Sequence, residues 1–70
     1  MRLRIRDLRE DSDLKQKDIA AYLNINQNTY SQYETGVRWL PLEALVKLAD
    51  YYGVSTDYLL GLTDNPKRNI

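Results

Sequence analysis

Two short helical patterns lie close together near the middle of the chain, at residues 16–23 and 27–35. The first places its apolar residues on one face, which indicates a helix with one buried side: Ile19, Ala20 and Leu23. The second is polar and almost uncharged over most of its outer surface. Because only residues 24–26 separate the two patterns, the predicted helices must cross steeply and stay in contact.

Three further helices are predicted on either side of this pair. Residues 3–11 carry Ile5 and Leu8 three positions apart, and residues 56–60 form a short last helix. Residues 42–52 have an apolar stripe opposite a charged face, formed by Leu42, Leu45, Leu48, Ala49 and Tyr52. Because no strand alternation of useful length appears, the chain is predicted to be all-α.

The residues at the breaks between helices support these boundaries. Asn26 and Ser55 are good N-terminal caps for the third and fifth helices. Gly36 and Gly53 stand where the third and fourth helices should end, at positions that favour a left-handed backbone. Lys15 is a poor cap, so the start of the second helix is the least well defined.

Composition then narrows the classes of function. The 70 residues include no cysteine and no histidine, which removes the commonest metal ligands and the commonest general base. Since the carboxylates are scattered over helix exteriors, we predict no enzyme, no cofactor and no metal site. Ten basic and ten acidic residues give a formal net charge of zero. This balance argues against coating nucleic acid by bulk charge, but it leaves a sequence-specific reader open.

The sequence carries no sign of a membrane segment or of a second domain. No apolar run approaches a membrane span, and the first residues alternate arginine with apolar side chains, unlike a signal peptide. We therefore expect a cytoplasmic protein without a membrane partner. One domain is predicted over residues 1–62, followed by a polar tail, residues 63–70, that should fray.

One arc of the third helix is expected to face outward. At about 100° per residue, five polar side chains share an arc of about 140°: Gln27, Asn28, Ser31, Gln32 and Thr35. Amides donate and accept together, as the N6/N7 edge of adenine requires, and a hydroxyl suits either kind of partner. A solvated helix face is the plain interpretation. The tight turn and the lack of charge favour a helix-turn-helix, whose second helix enters the DNA major groove.

Four separated segments carry a resemblance to a known family, at residues 14–26, 30–36, 42–49 and 53–60. In order and spacing they resemble the Cro and phage-repressor class of regulators, also called XRE-like, over about residues 3–61. The resemblance implies a five-helix, lambda-repressor-like domain with a helix-turn-helix. It also implies binding to double-stranded operator DNA through the third helix, usually as a homodimer on a two-fold site.

The resemblance also implies roles for individual residues. Base-reading positions correspond to three amides, to which the outward arc adds a serine, so the predicted set is Gln27, Asn28, Ser31 and Gln32. The predicted phosphate contacts are the residue at the start of the second helix and the nearby cations: Lys15, Gln16, Lys17 and Arg38. A paired structural couple of the family corresponds to Arg9 and Glu34.

Three departures from the family pattern concern the DNA-binding region. Lys15 stands where the family prefers Thr or Ser, and Asn24 stands where it prefers Gly. The loop of residues 36–40 has Arg38 as its only charge. This suggests weaker phosphate binding unless other donors compensate, among them Lys15, Lys17 and Trp39 Nε1. We expect Trp39 to pack as a lid on the core, with DNA contact as the alternative.

The leading hypothesis is a sequence-specific transcriptional regulator, acting as a repressor. The alternative is the DNA-binding antitoxin of a toxin–antitoxin pair, which would use a further surface for a partner protein. Because one recognition helix reads only a few base pairs, we predict a homodimer at least on DNA. The candidate contact is Tyr58, Leu62 and the tail to Ile70. In the competing interpretation, Leu62 closes the bottom of the monomer core.

Overall fold

The computed structural model describes residues 3–68, and this part of the chain forms five helices and no strand. The helices are α1 (Ile5–Asp11), α2 (Gln16–Leu23), α3 (Gln27–Thr35), α4 (Leu42–Tyr52) and α5 (Thr56–Leu59). The all-α prediction and the bounds of α2, α3 and α4 are confirmed. The first helix begins two residues later than predicted and the last ends one residue earlier. Over residues 3–68, no helix is long and apolar enough to cross a membrane.

Local geometry defines the turn between α2 and α3. Asn24 ends α2 in the left-handed region, with φ 59° and ψ 44°, a conformation that asparagine tolerates better than most side chains. The Asn26 side chain then accepts a hydrogen bond from the Thr29 backbone N–H at 2.7 Å and caps α3. Asn24 therefore adopts the left-handed conformation for which glycine is otherwise preferred at the end of a helix.

The start of α2 is stabilised by a residue inside the helix. The Lys15 side chain makes no capping hydrogen bond, as the sequence predicts. The Asp18 carboxylate instead accepts a hydrogen bond from the Lys15 backbone N–H at 2.9 Å, which is the contribution that the third helical residue makes to a capping box. A carboxylate in the first turn also complements the helix dipole. Asp18 therefore compensates for the poor cap.

Every helix contributes to one core. Each supplies one completely buried side chain, and these are Ile5, Ile19, Tyr30, Leu48 and Leu59. The predicted stripe on α4 is wrong at Leu42, which is 76% exposed. The first two residues of α4 are exposed, Ala44 is half-buried and Leu45 is buried, so the start of α4 extends beyond the core that the other helices form.

The start of the tail is attached to the rest of the domain. The Ser55 backbone N–H donates to the Pro66 carbonyl at 3.0 Å. Arg4 Nη2 donates to the Asp64 carboxylate at 2.8 Å. Residues 63–68 therefore fold back on α5 and on the start of the chain. The last two residues, including the predicted dimer contact at Ile70, lie outside the described part.

Candidate nucleic-acid interface

The outward side of α3 follows the predicted arc. Tyr30 and Tyr33 are buried and anchor the opposite side of the helix in the core. Along the arc, Gln27 and Asn28 are exposed. Ser31 and Gln32, one turn later, are half-buried. Because α3 also packs against α2, the polar arc is presented on a helix that is supported from behind.

An ion pair supports the other end of α3. Arg9 Nε donates to Glu34 Oε2 at 2.7 Å, and Arg9 Nη2 donates to Oε1 at 3.1 Å. The Gln16 amide donates to the same Oε1 at 3.0 Å, while Arg9 also donates to the Leu14 carbonyl at 2.9 Å. The couple that the family resemblance implies is present, and it connects α1, α2 and the end of α3.

Burial and hydrogen bonding set the charges of this pair. The side chains of Arg9 and Glu34 are only 12% and 3% exposed. Burial raises the pKa of Glu34, but hydrogen bonds from Arg9 and the other donors around it outweigh burial, so the pKa lies below its usual value. The hydrogen bond to Glu34 raises the pKa of Arg9, whereas burial raises the pKa of the neighbouring Tyr30 phenol. At neutral pH the pair is therefore ionised beside a neutral tyrosine.

The predicted phosphate contacts flank α3. Lys15 and Lys17 are exposed at the start of α2, and Arg38 is exposed in the loop after α3. Gln16, between the two lysines in the sequence, is half-buried, and its side-chain amide donates one hydrogen bond to Glu34. Since a carboxamide has two such hydrogens, Gln16 can brace α3 and still donate to a phosphate.

The loop after α3 turns back onto the helix. Gly36 takes φ 82°, a backbone conformation that residues with a Cβ rarely adopt. The Arg38 backbone N–H then donates to the Gln32 carbonyl at 3.2 Å, and Arg38 Nε donates to Gln32 Oε1 at 2.9 Å. From the sequence, these two residues are predicted as separate contacts with DNA. The glycine after α3 is the one sequence signal that could have linked them, because it permits the reversal.

The expectation for Trp39 is wrong. Its side chain is 87% exposed, and the neighbouring Val37 is 76% exposed. Leu40 is the loop residue that packs against the core instead. Trp39 therefore does not form a buried lid on the core, and its indole is open to solvent in the loop that also carries Arg38.

Comparisons with known proteins agree with this geometry. The model of the family described as Helix-turn-helix matches residues 5–59. The chain is 41% identical over 66 residues to the HTH-type transcriptional regulator ImmR of Bacillus subtilis (strain 168), which covers 94% of this chain and 52% of ImmR. It is 45% identical over 51 residues to the Cryptic phage CTXphi transcriptional repressor RstR of Vibrio cholerae, covering 73% of this chain and 46% of RstR. No solved structure matches the chain.

These relatives confirm the resemblance to phage repressors. Both are named as transcriptional regulators or repressors, which gives no support to the antitoxin alternative. The chain spans about half the length of the relatives that it matches. With a family match over most of its length and an α2–turn–α3 unit of the expected form, the chain belongs to the Helix-turn-helix family of DNA-binding domains.

Proposed function

We propose that this chain is the operator-binding part of a transcriptional repressor that acts in the cytoplasm on double-stranded DNA. The observation that carries the proposal is the polar outward arc of α3, which lies on a helix held by the core, by α2 and by the Arg9–Glu34 pair. Repression, rather than activation, is favoured because RstR, at 45% identity, is named a repressor.

In this proposal α3 lies in the major groove and its polar arc reads base edges. Gln27 and Asn28 are exposed in the first turn of α3, the part of a recognition helix that contacts bases in this motif. Ser31 and Gln32 continue the surface one turn later. A well-formed bidentate contact to a base contributes about 1–3 kcal/mol of discrimination, so this arc is sufficient for a short specific half-site.

Phosphate contacts at both sides of α3 would orient it in the groove. Lys15, Gln16 and Lys17 stand at the start of α2, and Arg38 stands in the loop beyond α3. Such contacts fix the register and orientation of a protein on the duplex but carry no sequence information of their own. The three residues at the start of α2 should therefore affect binding to operator and to random DNA alike.

We further propose that two copies bind a pseudo-palindromic site whose half-site centres lie about 34 Å apart. Leu62 is 67% exposed, which favours a role in an intermolecular contact over the competing role in closing the core. Tyr58 is half-buried, and the Arg4 guanidinium lies 4.5 Å from the centre of its ring. The contact is therefore proposed to centre on Leu62.

The test of base reading is selection of bound sequences from random duplex DNA, followed by affinity measurements on the selected operator. Asn28→Ala should lose about 1–3 kcal/mol of binding free energy on the operator and little on random DNA. Asn65→Ala, an exposed asparagine of the tail, is the matched control; measured on a half operator, where the proposed dimer contact plays no part, it should change neither affinity. Equal losses on both DNAs for Asn28→Ala would remove it from the reading surface.

The dimer is tested separately by gel shift on full and half operators, with light scattering of the free protein. Binding to the full operator should be cooperative and tighter than binding to one half. Leu62→Ser should weaken the full site more than the half site. Equal affinity of the wild-type protein for both DNAs, without cooperativity, would exclude the dimer.

A further inference from the structure

Gln32 and Arg38 form a hydrogen-bonded couple on the outward side of α3. The side chains meet through Arg38 Nε and Gln32 Oε1 at 2.9 Å. The backbones meet through the Arg38 N–H and the Gln32 carbonyl at 3.2 Å. Because main chain and side chain are both engaged, Arg38 is held beside Gln32 at two points.

The chemistry of the guanidinium determines how the Gln32 amide is turned. A guanidinium has only hydrogen-bond donors, so the amide atom that faces it must be the carbonyl oxygen and not the nitrogen. The amide nitrogen, with its two hydrogens, then points away from Arg38. The couple presents donors to its surroundings, from Gln32 Nε2 and from the remaining nitrogens of Arg38.

The other two amides on the arc are not constrained in this way. Within residues 3–68, no protein group holds the side chains of Gln27 or Asn28, and both are exposed. Their amides can turn to offer a donor and an acceptor together, as adenine requires. Gln32 differs from them because its amide oxygen already accepts a hydrogen bond from Arg38.

We propose that Arg38 is a positioning residue that commits Gln32 to reading guanine; this inference rests on the proposed function. In the major groove, guanine presents two neighbouring acceptors, N7 and O6, whereas adenine presents an acceptor and a donor. An amide whose oxygen is held by Arg38 can supply two donors to guanine but cannot easily turn its oxygen to the adenine amino group. Arg38 thereby contributes to specificity through Gln32 rather than through a base contact of its own.

The experiment is the same selection from random duplex DNA, performed with the wild type and three variants. Gln32→Ala identifies the base pair that Gln32 reads, as the position whose preference it abolishes. At that pair the wild type should favour guanine over adenine by about tenfold. Arg38→Met, which frees the Gln32 oxygen, should lower the guanine-to-adenine ratio by about the same factor.

Lys17→Met is the matched control, because it removes another exposed cation near the motif. Both methionine variants should weaken binding, but only Arg38→Met should change the base preference. An unchanged ratio in Arg38→Met, or a wild-type preference for adenine, overturns the inference. So does a Gln32→Ala protein that keeps every preference, although Gln27 and Asn28 could then still read bases. Failure of the wild type to select any sequence would instead overturn the proposed function itself.

Discussion

Replacing Glu34 by alanine would remove the acceptor of three hydrogen bonds at once. Two come from the Arg9 guanidinium, at 2.7 and 3.1 Å, and one comes from the Gln16 amide at 3.0 Å. The remaining partner of Arg9 is the Leu14 carbonyl at 2.9 Å. Since the Arg9 side chain is only 12% exposed, water cannot fully replace the lost carboxylate.

The expected loss is large relative to the stability of a domain of this size. Removing one partner of a buried ion pair costs about 3–5 kcal/mol. At about 0.05–0.15 kcal/mol per residue, a chain of 70 residues has a total stability of about 3.5–10.5 kcal/mol. Glu34→Ala should therefore melt at least about 12 °C below the wild type, or fail to fold at 25 °C.

Thermal and urea unfolding followed by far-UV circular dichroism measure this effect. Glu43→Ala is the matched control, because Glu43 is 83% exposed and pairs with Lys47 across one helical turn at 3.5 Å. Such a surface pair contributes only about 0.3–0.5 kcal/mol, so this variant should melt within a few degrees of the wild type. A Glu34→Ala protein that does the same would refute the assignment of a buried, stabilising pair.

The double variant Arg9→Met, Glu34→Leu separates the cost of an unpaired charge from the value of the pair. Buried ion pairs can often be replaced by apolar residues of similar volume at little cost. The double variant should therefore be more stable than Glu34→Ala alone. The single variants Arg9→Met and Glu34→Leu complete the comparison. If the double variant loses as much stability as these two single variants lose together, then no part of either loss comes from leaving a charge unpaired.

Three further outcomes are expected. Because the pKa of Glu34 is lowered in the folded state from 4.5, urea unfolding should show stability falling as pH drops below about 4.5, with less change in Glu34→Gln. Burial raises the pKa of Tyr52 to about 12, so stability should also fall as pH rises from about 10 to 12. Tyr52 should contribute about 1.4 kcal/mol per pH unit to this fall, in addition to the contribution of Tyr30, and Tyr52→Phe should remove that part. Trp39, the single tryptophan, should emit at nearly the same wavelength in the folded and the urea-unfolded protein; a marked blue shift on folding would contradict its exposure.

The elements of this fold that follow from the sequence are those with local causes. Asn26 and Gly36 bound α3 by a side-chain cap and a left-handed residue, both of which act within a few positions. The exposure of Leu42 was not predictable in the same way. Periodicity identifies the buried face of a helix, but it does not say how far the neighbouring helices extend along that face.

In the candidate site, too, the features with local causes could be predicted from the sequence, whereas contacts between distant residues could not. The outward arc of α3 follows from helical periodicity alone, because it needs only the position of Tyr30 and Tyr33 on the opposite side. The Arg9–Glu34 pair joins residues 25 positions apart, and only the family resemblance brings them together from sequence. The contact between Gln32 and Arg38 depends on the path of the loop after Gly36, which neither periodicity nor resemblance specifies.

The charge balance and the rigid support of α3 have a joint consequence for selectivity. Non-specific binding to DNA comes almost entirely from contacts with phosphates, and the formal net charge of this chain is zero. A helix that is already held at both ends, by Asn26 and by the Arg9–Glu34 pair, loses little conformational freedom when it enters the groove. Its selectivity should then come largely from base contacts. With about two or three phosphates neutralised by each monomer, the log–log salt slope of a dimer should be about −4 to −5. A measured slope near about −10 would show instead that a cationic surface beyond Lys15, Lys17 and Arg38 dominates the affinity.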